Sequence, residues 1–567
     1  MNKIVGIDLG TSTSEIAILK AGKPFSIPNH LGEVITPSAV LIDENENIIV
    51  GQDALEQFIL KPEATAIEVK RMMGSKDKVV LAGKEFTPVE VSSFILKYLK
   101  GCAETYLNEE VNRAVITVPA YFTNEQRRAT VEAGKLAGFI VERIINEPTA
   151  AALAYGIDHM QDNNFVLVYD LGGGTLDVTV LEMFDGILEV KASSGNNKLG
   201  GKDFDQRIID KLLGHIKAKY DITLNDDLRA MARLKKEAEK CKIALSIVDS
   251  YEVVLPFISE KNGEPINLNY ELTRDNFEAM ILDLVESTRI PLENALRDAK
   301  LAPQDIEIIL LVGGSTRIPL VKRFLTDIFG KEPESLVDPD LAVVMGAAIQ
   351  SGILNKDFSS EKDILITDVC PYTLGIEILD YINGIPVNDV YNEIINRNTT
   401  IPVAAEKIYF TSFDDQDTVD IKVYQGDNRM ASKNNFLGDF KLSEIPLAPA
   451  GTEKIKVRFM YDVNGILQVE ATIVSTEESA GISIETTGVT MEKEIDISEW
   501  EDFSKAKPYK RIIHKAERKL KHEDSTYFEE LVDLIVDFKR AIIEEYPEEE
   551  LQELEDDLTE LLYEMEE

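Results

Sequence analysis

The sequence predicts a multidomain protein in which two related α/β lobes precede a β-sandwich and a helical C-terminal segment. Three observations support this fold class: a duplicated strand-and-turn motif, strands alternating with helices up to residue 353, and short alternating strands over residues 370–490. A chain of 567 residues is long enough for several domains, each with its own core.

The duplicated motif is an apolar strand that ends in Asp-Leu-Gly and leads into a threonine. It occurs at residues 4–11 and again at residues 164–175, where three glycines precede the threonine. Glycine turns expose successive backbone N–H groups, which suit phosphate oxygens. Because Asp8 and Asp170 would repel a phosphate unless a cation lay between them, the motif indicates a metal-bound nucleotide. Two copies indicate two related lobes that face one cleft.

A third glycine signal follows the apolar strand at residues 308–312. Gly313 and Gly314 would let a flat base or ribose lie against the backbone, although a plain strand-to-helix turn is the alternative. Lys70 belongs to a Lys-Arg pair ahead of Gly74, and such pairs are usually solvated. From the residues alone, a surface position for Lys70 is therefore favoured.

Between the two copies of the motif, strand and helix patterns alternate, which predicts an α/β lobe. Pro119 ends one strand, and Thr123 to Gln126 form a capping box that opens a helix. The predicted elements here are strands at 113–118 and 141–145, helices at 123–138 and 150–155, and an earlier helix with the core-facing stripe Val91, Phe94, Ile95, Tyr98, Leu99, Cys102 and Tyr106.

The pattern of residues also predicts the elements that follow the second glycine motif. A hairpin at Asp185-Gly186, two helices over 203–246 and a small-residue helix at 343–353 complete the second lobe. Ile364–Ile366 is an apolar patch in a polar segment, so we expect it to dock on a neighbouring domain. Turns at Asn383-Gly384, Gln425-Gly426 and Asn464-Gly465 separate sandwich strands, and the helical end has the stripes Phe528, Leu531, Val532, Ile535, Phe538, Ile542 and Leu551, Leu554, Leu558, Leu561, Leu562, Met565.

The composition narrows the class of protein further. A formal net charge of -41 argues against nucleic acid or an anionic membrane as the main partner, although it also serves solubility. Cys102, Cys241 and Cys370 have no metal-binding spacing and fit a reducing compartment. With no signal peptide and no apolar run long enough to span a bilayer, the expected location is the cytoplasm.

Taken together, these motifs resemble the 70-kDa heat-shock chaperone family of the DnaK type. The resemblance includes the segments at 118–122 (Val-Pro-Ala-Tyr-Phe) and 145–152 (Ile-Asn-Glu-Pro-Thr-Ala-Ala-Ala), and it covers about residues 1 to 490. It implies an ATP-dependent chaperone that hydrolyses Mg-ATP and binds and releases apolar segments of unfolded client polypeptides. The implied domains are an actin-like ATPase domain of two lobes at 1–355, a linker at 356–369, a β-sandwich that binds peptides at 370–490 and a shortened helical lid at 491–567.

The resemblance also implies cofactors and partners. ATP or ADP and Mg²⁺ are the expected cofactors, with K⁺ as a further candidate, and a J-domain co-chaperone and a nucleotide-exchange factor are the expected partners. Asp8 and Asp170 match residues that hold the metal through water, and Lys70, Glu147, Asp177 and Thr175 join them in the implied catalytic set. The implied nucleotide contacts are Gly10, Thr11, Ser12, Gly172, Gly173, Gly174, Thr175, Glu239, Lys242, Ser246, Gly313, Gly314, Ser315, Arg317 and Asp340.

Two further sets of residues come only from the resemblance. The implied peptide groove consists of Ile376, Leu379, Tyr409, Ser412, Val419 and Ile421, although any sandwich has inward apolar residues and their pattern alone favours core. The residues implied to couple the domains are Pro119, Arg127, Arg143, Leu365, Ile366 and Asp368.

The sequence departs from the family pattern at four places. A stretch after Gly74 is missing, residues 384–397 are longer than the usual loop, and Thr367 replaces an apolar linker residue, which predicts weaker coupling. About 77 residues follow residue 490, and the chain ends without the tail of eukaryotic cytosolic members. We therefore expect a shortened lid and faster peptide exchange.

Three other functions are alternatives. A family member can serve mainly as an exchange factor for another chaperone, but Lys70, Glu147 and both turn aspartates argue against this. An actin-like small-molecule kinase would share the lobes but has no evident use for the β-domain. An actin-like filament protein would sediment in a nucleotide-dependent way.

Overall fold

A computed structural model describes residues 3–157, 159, 163–184, 186–334, 338–357, 365–382, 385–483 and 505–520, with single positions between 531 and 562. The chain divides into two compact units, Met1–Val489 and Thr490–Glu567, which we describe separately.

The secondary structure of the described residues is numbered in chain order. The strands β1 to β27 are Ile4–Leu9, Thr13–Lys20, Lys23–Ser26, Thr36–Pro37, Ala39–Ile42, Ile48–Val50, Thr65–Ile67, Val79–Leu81, Lys84–Phe86, Arg113–Val118, Ile140–Asn146, Asn164–Leu171, Leu176–Phe184, Ile187–Asn196, Ser250–Lys261, Glu264–Thr273, Ile308–Val312, Leu365–Val369, Leu374–Ile382, Ile385–Ile395, Thr400–Ile401, Val403–Phe410, Val419–Gln425, Asn435–Leu442, Lys454–Tyr461, Leu467–Ile473 and Ser479–Ser483. The helices α1 to α11 are Gln52–Gln57, Pro88–Leu107, Asn124–Leu136, Glu147–Gly156, Gly201–Tyr220, Leu228–Leu245, Arg274–Ser287, Arg289–Ala299, Pro319–Phe329, Ala342–Asn355 and Ala506–Leu520.

The first large sheet has the strand order β11-β10-β1-β2-β3, with β4 paired to β2. Strand β1 runs parallel to β10 and antiparallel to β2. Helices α2 and α3 contribute to the apolar core beside it, where Val91, Ile95 and Leu99 are buried. The predicted stripe of α2 is confirmed at these positions, but Tyr106 at its end is 39% exposed and stacks on Phe25 instead.

The second large sheet has the order β17-β12-β13-β14-β18-β21. Its strand β12 is the apolar segment of the second glycine motif, and it runs parallel to β17. Strand β18 begins with the described part of the apolar patch in the linker, and it pairs with β14 from Ile187↔Leu365 onward. The predicted docking is thus confirmed for Leu365 and Ile366, although the Leu365 side chain stays 56% exposed; Ile364 lies outside the described residues.

Helices α4 and α10 join the two sheets. Their alanines lie in one buried cluster with Val115 of β10 and Val168 of β12. The helices come very close, because a Cβ atom on Gly346 would lie 1.7 Å from the carbonyl oxygen of Ala150. This close packing sets the spacing of the two sheets and of the turns at their ends.

Two four-stranded antiparallel sheets follow, with the orders β20-β19-β23-β24 and β22-β25-β26-β27. Alternate residues of both sheets, such as Val423 and Val457, enclose a shared apolar core. Residues Ile385–Ile395 of the segment predicted to be a long loop form strand β20, which pairs with β19. The predicted turn at Asn383-Gly384 lies outside the described residues.

The second unit contains α11 and an apolar cluster that includes Tyr509, Ile513 and Phe538. Both predicted C-terminal stripes contribute to this cluster, since Leu531, Ile535, Leu551 and Leu558 are buried in it. Phe528, Val532 and Met565 lie outside the described residues.

Candidate nucleotide site

A cavity of about 380 Å³ opens where the turns of the two large sheets face each other. A volume of several hundred Å³ is typical of ligand sites. Most of the implied nucleotide residues line it: Asp8, Gly10, Thr11, Ser12, Lys70, Glu147, Asp170, Gly172, Gly173, Thr175, Glu239, Lys242, Gly313, Gly314, Ser315, Arg317 and Asp340. We call this the cleft cavity.

The first glycine turn connects β1 to β2. Asp8 lies at its start and accepts a hydrogen bond of 2.7 Å from the Thr117 hydroxyl. A Cβ atom on Gly10 would lie only 2.1 Å from the carbonyl oxygen of Thr13, so the turn requires glycine there. The small turn leaves its backbone open toward the cleft cavity, as phosphate binding requires.

The second glycine turn connects β12 to β13 in a tight hairpin. The Gly172 N–H donates to the Thr175 carbonyl oxygen (3.0 Å), and the Gly172 carbonyl oxygen in turn accepts from the Gly201 N–H (2.9 Å). The start of α5 therefore supports this turn from behind. Gly174 does not line the cavity; its Cα faces Thr11 and Arg71.

Lys70 lies inside the cavity, not on the surface that its sequence context favours. It belongs to the 3-10 turn Val69–Met72, and its Nζ contacts Glu147 Oε1 at 2.5 Å, with both residues only 7% exposed. Burial raises the pKa of Glu147 to about 7, against the attraction of Lys70. Burial opposes the charge of Lys70 too, but the attraction of Glu147 and Asp8 raises the Lys70 pKa. Lys70 is thus a cation held at the centre of the carboxylates.

The carboxylates are held where their charge is unfavourable without a cation. Burial raises the pKa of Asp8 and places that of Asp170 well above its usual range. Asp177 lies behind the cavity, accepts a 2.9 Å bond from the Tyr121 N–H, and has its pKa raised by burial to about 6. A bound cation would favour the charged forms of all three, so the site fits a metal ion.

The far end of the cavity carries the third glycine signal. Arg317 lies beside Asp340 (2.7 Å) and Asp338 (2.9 Å), and Lys242 pairs with Asp205 (2.9 Å). The third signal forms a 3-10 turn at Gly314–Arg317. Ser246 does not line the cavity, and its hydroxyl donates to the Lys242 carbonyl oxygen (3.1 Å).

Six lining residues were not predicted. The most notable is Glu15, which is 2% exposed and lies directly opposite Asp8 in the β1–β2 register. Burial places its pKa well above its usual range. The residue pattern contains no direct signal for Glu15, because its place beside Asp8 depends on the register of β2 against β1. The six residues are Thr13, Glu15, Ile243, Val312, Pro339 and Val343.

The residues that the resemblance implies to couple the domains include Arg127, which contacts the β-domain. Arg127 is 3% exposed and donates to the carbonyl oxygens of Ala120 (2.8 Å) and Asn464 (3.5 Å). The Asn464 side chain accepts a hydrogen bond from the Ile144 N–H (2.9 Å). The turn between β25 and β26 therefore contacts strand β11 of the first large sheet. Pro119 is buried next to this contact and its carbonyl oxygen accepts from the Phe122 N–H.

Further contacts surround the linker strand. Buried Asp368 accepts a hydrogen bond from the Thr149 hydroxyl (3.1 Å), which attaches the linker to α4. Burial lowers the pKa of Arg143, against the attraction of Asp368. Arg397, which follows β20, pairs with Asp298 of α8 (3.0 Å). A second part of the β-domain therefore contacts a helix of the second lobe.

The implied groove residues are distributed over the β-domain. Ile376 and Ile421 are buried in the shared core of the two sheets. Tyr409 and Val419 are half-buried against that core, and the Tyr409 hydroxyl donates to the Asn392 side chain (2.9 Å). The Leu379 and Ser412 side chains are half-buried as well.

Within the described residues, no group of three or more His, Cys, Asp or Glu side chains is arranged to hold a metal by itself. A metal in the cleft cavity would therefore take ligands from water or phosphate as well as from the protein. Over the same residues, no helix has both the length and the apolar character needed to cross a bilayer.

Two glycine turns, a buried lysine and several carboxylates around one cleft define a nucleotide-binding ATPase, here joined to a β-domain. A protein-family model described as Hsp70 protein matches residues 4–82 and 75–567. The chain belongs to the Hsp70 family.

Similar proteins agree with this assignment. The chaperone protein DnaK of Thermotoga neapolitana is 48% identical over 531 residues, which are 92% of this chain and 87% of that protein. The proteins of the same name from Thermotoga petrophila and Thermotoga maritima are 51% identical over 471 residues, which are 82% of this chain and 78% of each relative.

Proposed function

We propose that this protein is an ATP-dependent chaperone that binds and releases extended apolar segments of unfolded polypeptides. The observation that carries the proposal is the direct contact of the β-domain with the residues behind the nucleotide cavity, through Arg127, Asn464 and the linker strand. Such contacts allow the state of the cavity to change the state of the β-domain.

The proposed architecture follows the same logic. Residues 1–355 form an actin-like ATPase domain of two lobes, one around each large sheet, with the cleft cavity between them. Residues 356–369 are the linker, 370–490 a peptide-binding β-sandwich and 491–567 a helical lid.

The proposed nucleotide is ATP, exchanged for ADP after hydrolysis. The two glycine turns bind its phosphates, and residues around Gly313, Arg317 and Glu239 bind the adenosine. Mg²⁺ held through water by Asp8 and Asp170 would neutralise charge on the phosphates. The buried carboxylates with raised pKa values support this assignment.

Within this site, Lys70 meets the charge that develops on the transferred phosphoryl group, and Glu147 orients Lys70 by their direct contact. Thr175 on the second turn and Glu147 line the cavity, where they would position the attacking water, and Asp177 supports this region from behind the cavity. The low solvent exposure of Lys70 and Glu147 strengthens these electrostatic interactions.

Partners follow from the same assignment. A J-domain co-chaperone is proposed to act at Arg143 beside the linker, and a nucleotide-exchange factor to open the cleft. The cytoplasm is the proposed location.

The first test measures how fast a pre-bound fluorescent Leu-rich peptide leaves the full-length protein. We expect ATP with Mg²⁺ to accelerate peptide release several-fold over ADP with Mg²⁺, because the cavity and the β-domain are in contact. Peptide release that ignores ATP would argue against the coupling, and failure to bind any peptide would remove the chaperone function while leaving the ATPase.

Substituting Val419→Phe tests the peptide groove. Val419 is half-buried against the β-domain core. A phenylalanine ring at this position would occupy the space proposed for a side chain of the bound peptide. We expect affinity for the Leu-rich peptide to fall about tenfold or more, as measured by fluorescence anisotropy. Val474→Phe, at an exposed position after β26, should keep the affinity of the unmutated protein. Unchanged affinity in Val419→Phe would place the groove elsewhere.

A further inference from the structure

The 3-10 turn Val69–Met72 carries two adjacent cations that point in opposite directions. Lys70 points into the cleft cavity toward Glu147, whereas Arg71 crosses the cleft on the outside and reaches Asp203. The proposed catalytic roles use Lys70 but leave Arg71 without a function.

Arg71 makes several contacts with the second lobe. Its Nη2 donates to Asp203 Oδ1 (3.2 Å) and Oδ2 (3.4 Å) and to the Lys198 carbonyl oxygen (3.3 Å). Its stem lies against the second glycine turn, since a Cβ atom on Gly174 would be 3.2 Å from Cγ and Cδ of Arg71. Arg71 therefore connects the turn that carries Lys70 to the opposite phosphate turn.

The Asp203 side chain is held in place by a hydrogen bond at the start of α5. It lies in the first turn of α5 and accepts a 2.7 Å bond from the Gly200 N–H. The neighbouring Lys202 N–H donates to the Gly173 carbonyl oxygen (2.8 Å). The segment that contains Asp203 thus also hydrogen-bonds to the second glycine turn. A displacement of Asp203 would therefore also displace this turn.

A second ion pair crosses the cleft beside the first. Glu68 Oε1 lies 3.8 Å from Lys202 Nζ, and Lys202 also pairs with Glu239 (2.9 Å), which lines the cleft cavity. Glu68 has a φ of 62°, a backbone conformation that is uncommon outside glycine, asparagine and aspartate. This backbone bend directs Glu68 and Arg71 across the cleft while Lys70 points inward.

We propose that Arg71 and Asp203 form a clasp that positions Lys70 and slows the release of bound nucleotide. The proposal rests on the ATPase function proposed above. A nucleotide between the lobes can leave only when the lobes separate, and separation breaks both cross-cleft ion pairs. Arg71 and Asp203 are positioning residues, because neither lines the cleft cavity.

The test is stopped-flow release of a fluorescent ADP analogue from the full-length protein. Arg71→Ala and Asp203→Asn should each accelerate release about threefold to fivefold, the upper part of the range expected for a partly exposed ion pair. Asparagine keeps an acceptor for the Gly200 N–H, so the start of α5 is preserved. The double variant should be no faster than Arg71→Ala alone, because both changes remove the same contact.

Three further measurements separate a clasp from a general loss of charge or fold. Arg207→Ala removes another ion pair of α5, to Asp283 (2.5 Å), and should leave release unchanged. Raising the salt concentration to about 0.5 M should accelerate release from the unmutated protein more than from Arg71→Ala, since salt screens the clasp. Arg71→Lys, which retains charge but loses the forked donor, should be intermediate.

Release rates of Arg71→Ala within twofold of those of Arg207→Ala would overturn the clasp, as would additive effects in the double variant. These outcomes are distinct from failure of the proposed function, which would appear as absence of ADP binding or ATP hydrolysis in the unmutated protein.

Discussion

Replacing Lys70 with alanine is expected to slow single-turnover ATP hydrolysis about a hundredfold or more while nucleotide affinity changes little. Lys70 is a buried cation that lines the cleft cavity, and its Nζ lies 2.5 Å from Glu147 Oε1. Its removal takes away charge stabilisation that operates mainly in the transition state, whereas the glycine turns still bind the phosphates. Rapid-quench measurement of one turnover separates this step from product release.

Lys97→Ala is the matched control, because Lys97 is an exposed lysine of α2 outside the cleft cavity. We expect it to hydrolyse ATP at the rate of the unmutated protein. A Lys70→Ala rate within a few-fold of that of Lys97→Ala would exclude Lys70 from catalysis. A large loss of nucleotide affinity would instead make Lys70 a binding residue.

Gly346→Ala is expected to destabilise the ATPase domain by about 3 kcal/mol, although Gly→Ala in a helix usually stabilises. The added methyl group would lie 1.7 Å from the Ala150 carbonyl oxygen, and this backbone atom cannot move away as a flexible side chain could. Helices α4 and α10 would have to separate. Since Glu147 begins α4, we also expect lower ATPase activity.

Gly214→Ala provides the comparison within the same protein. Gly214 is also interior to a helix, α5, but a Cβ atom there would have no neighbour within 4 Å. We expect this variant to be more stable by up to about 1 kcal/mol. Thermal unfolding of both variants, followed by calorimetry, measures the difference. Equal midpoints would contradict the close packing of α4 and α10.

Local patterns predicted many elements correctly. The capping box at Thr123 opens α3 as expected, with its side chain accepting from the Gln126 N–H, and the strand before Pro119 ends at Val118. The α4 helix begins at Glu147 instead of residue 150, because proline is well tolerated in the first turn of a helix. These features depend on neighbours within a few residues, which the sequence contains directly.

The site was only partly accessible from residue patterns. The glycine turns identified Asp8 and Asp170, but the pattern around Lys70 favoured the surface, and only the family resemblance assigned it a role. In the structure, Lys70 is buried beside Glu147, which lies 77 positions further along the chain and stabilises its positive charge. Glu15 was missed because its position in the cleft depends on the register of β2 against β1.

By itself, the sequence determined the glycine turns, the order of strands and helices, and the charged and apolar residues available to them. Those properties follow from backbone stereochemistry and short-range periodicity. Only the tertiary structure decided which side chains meet in the cleft, which face of the linker pairs with β14, and that Arg71 contacts Asp203. The reason is that burial and charge pairing depend on distances between residues far apart in the chain, and close packing of distant elements sets those distances.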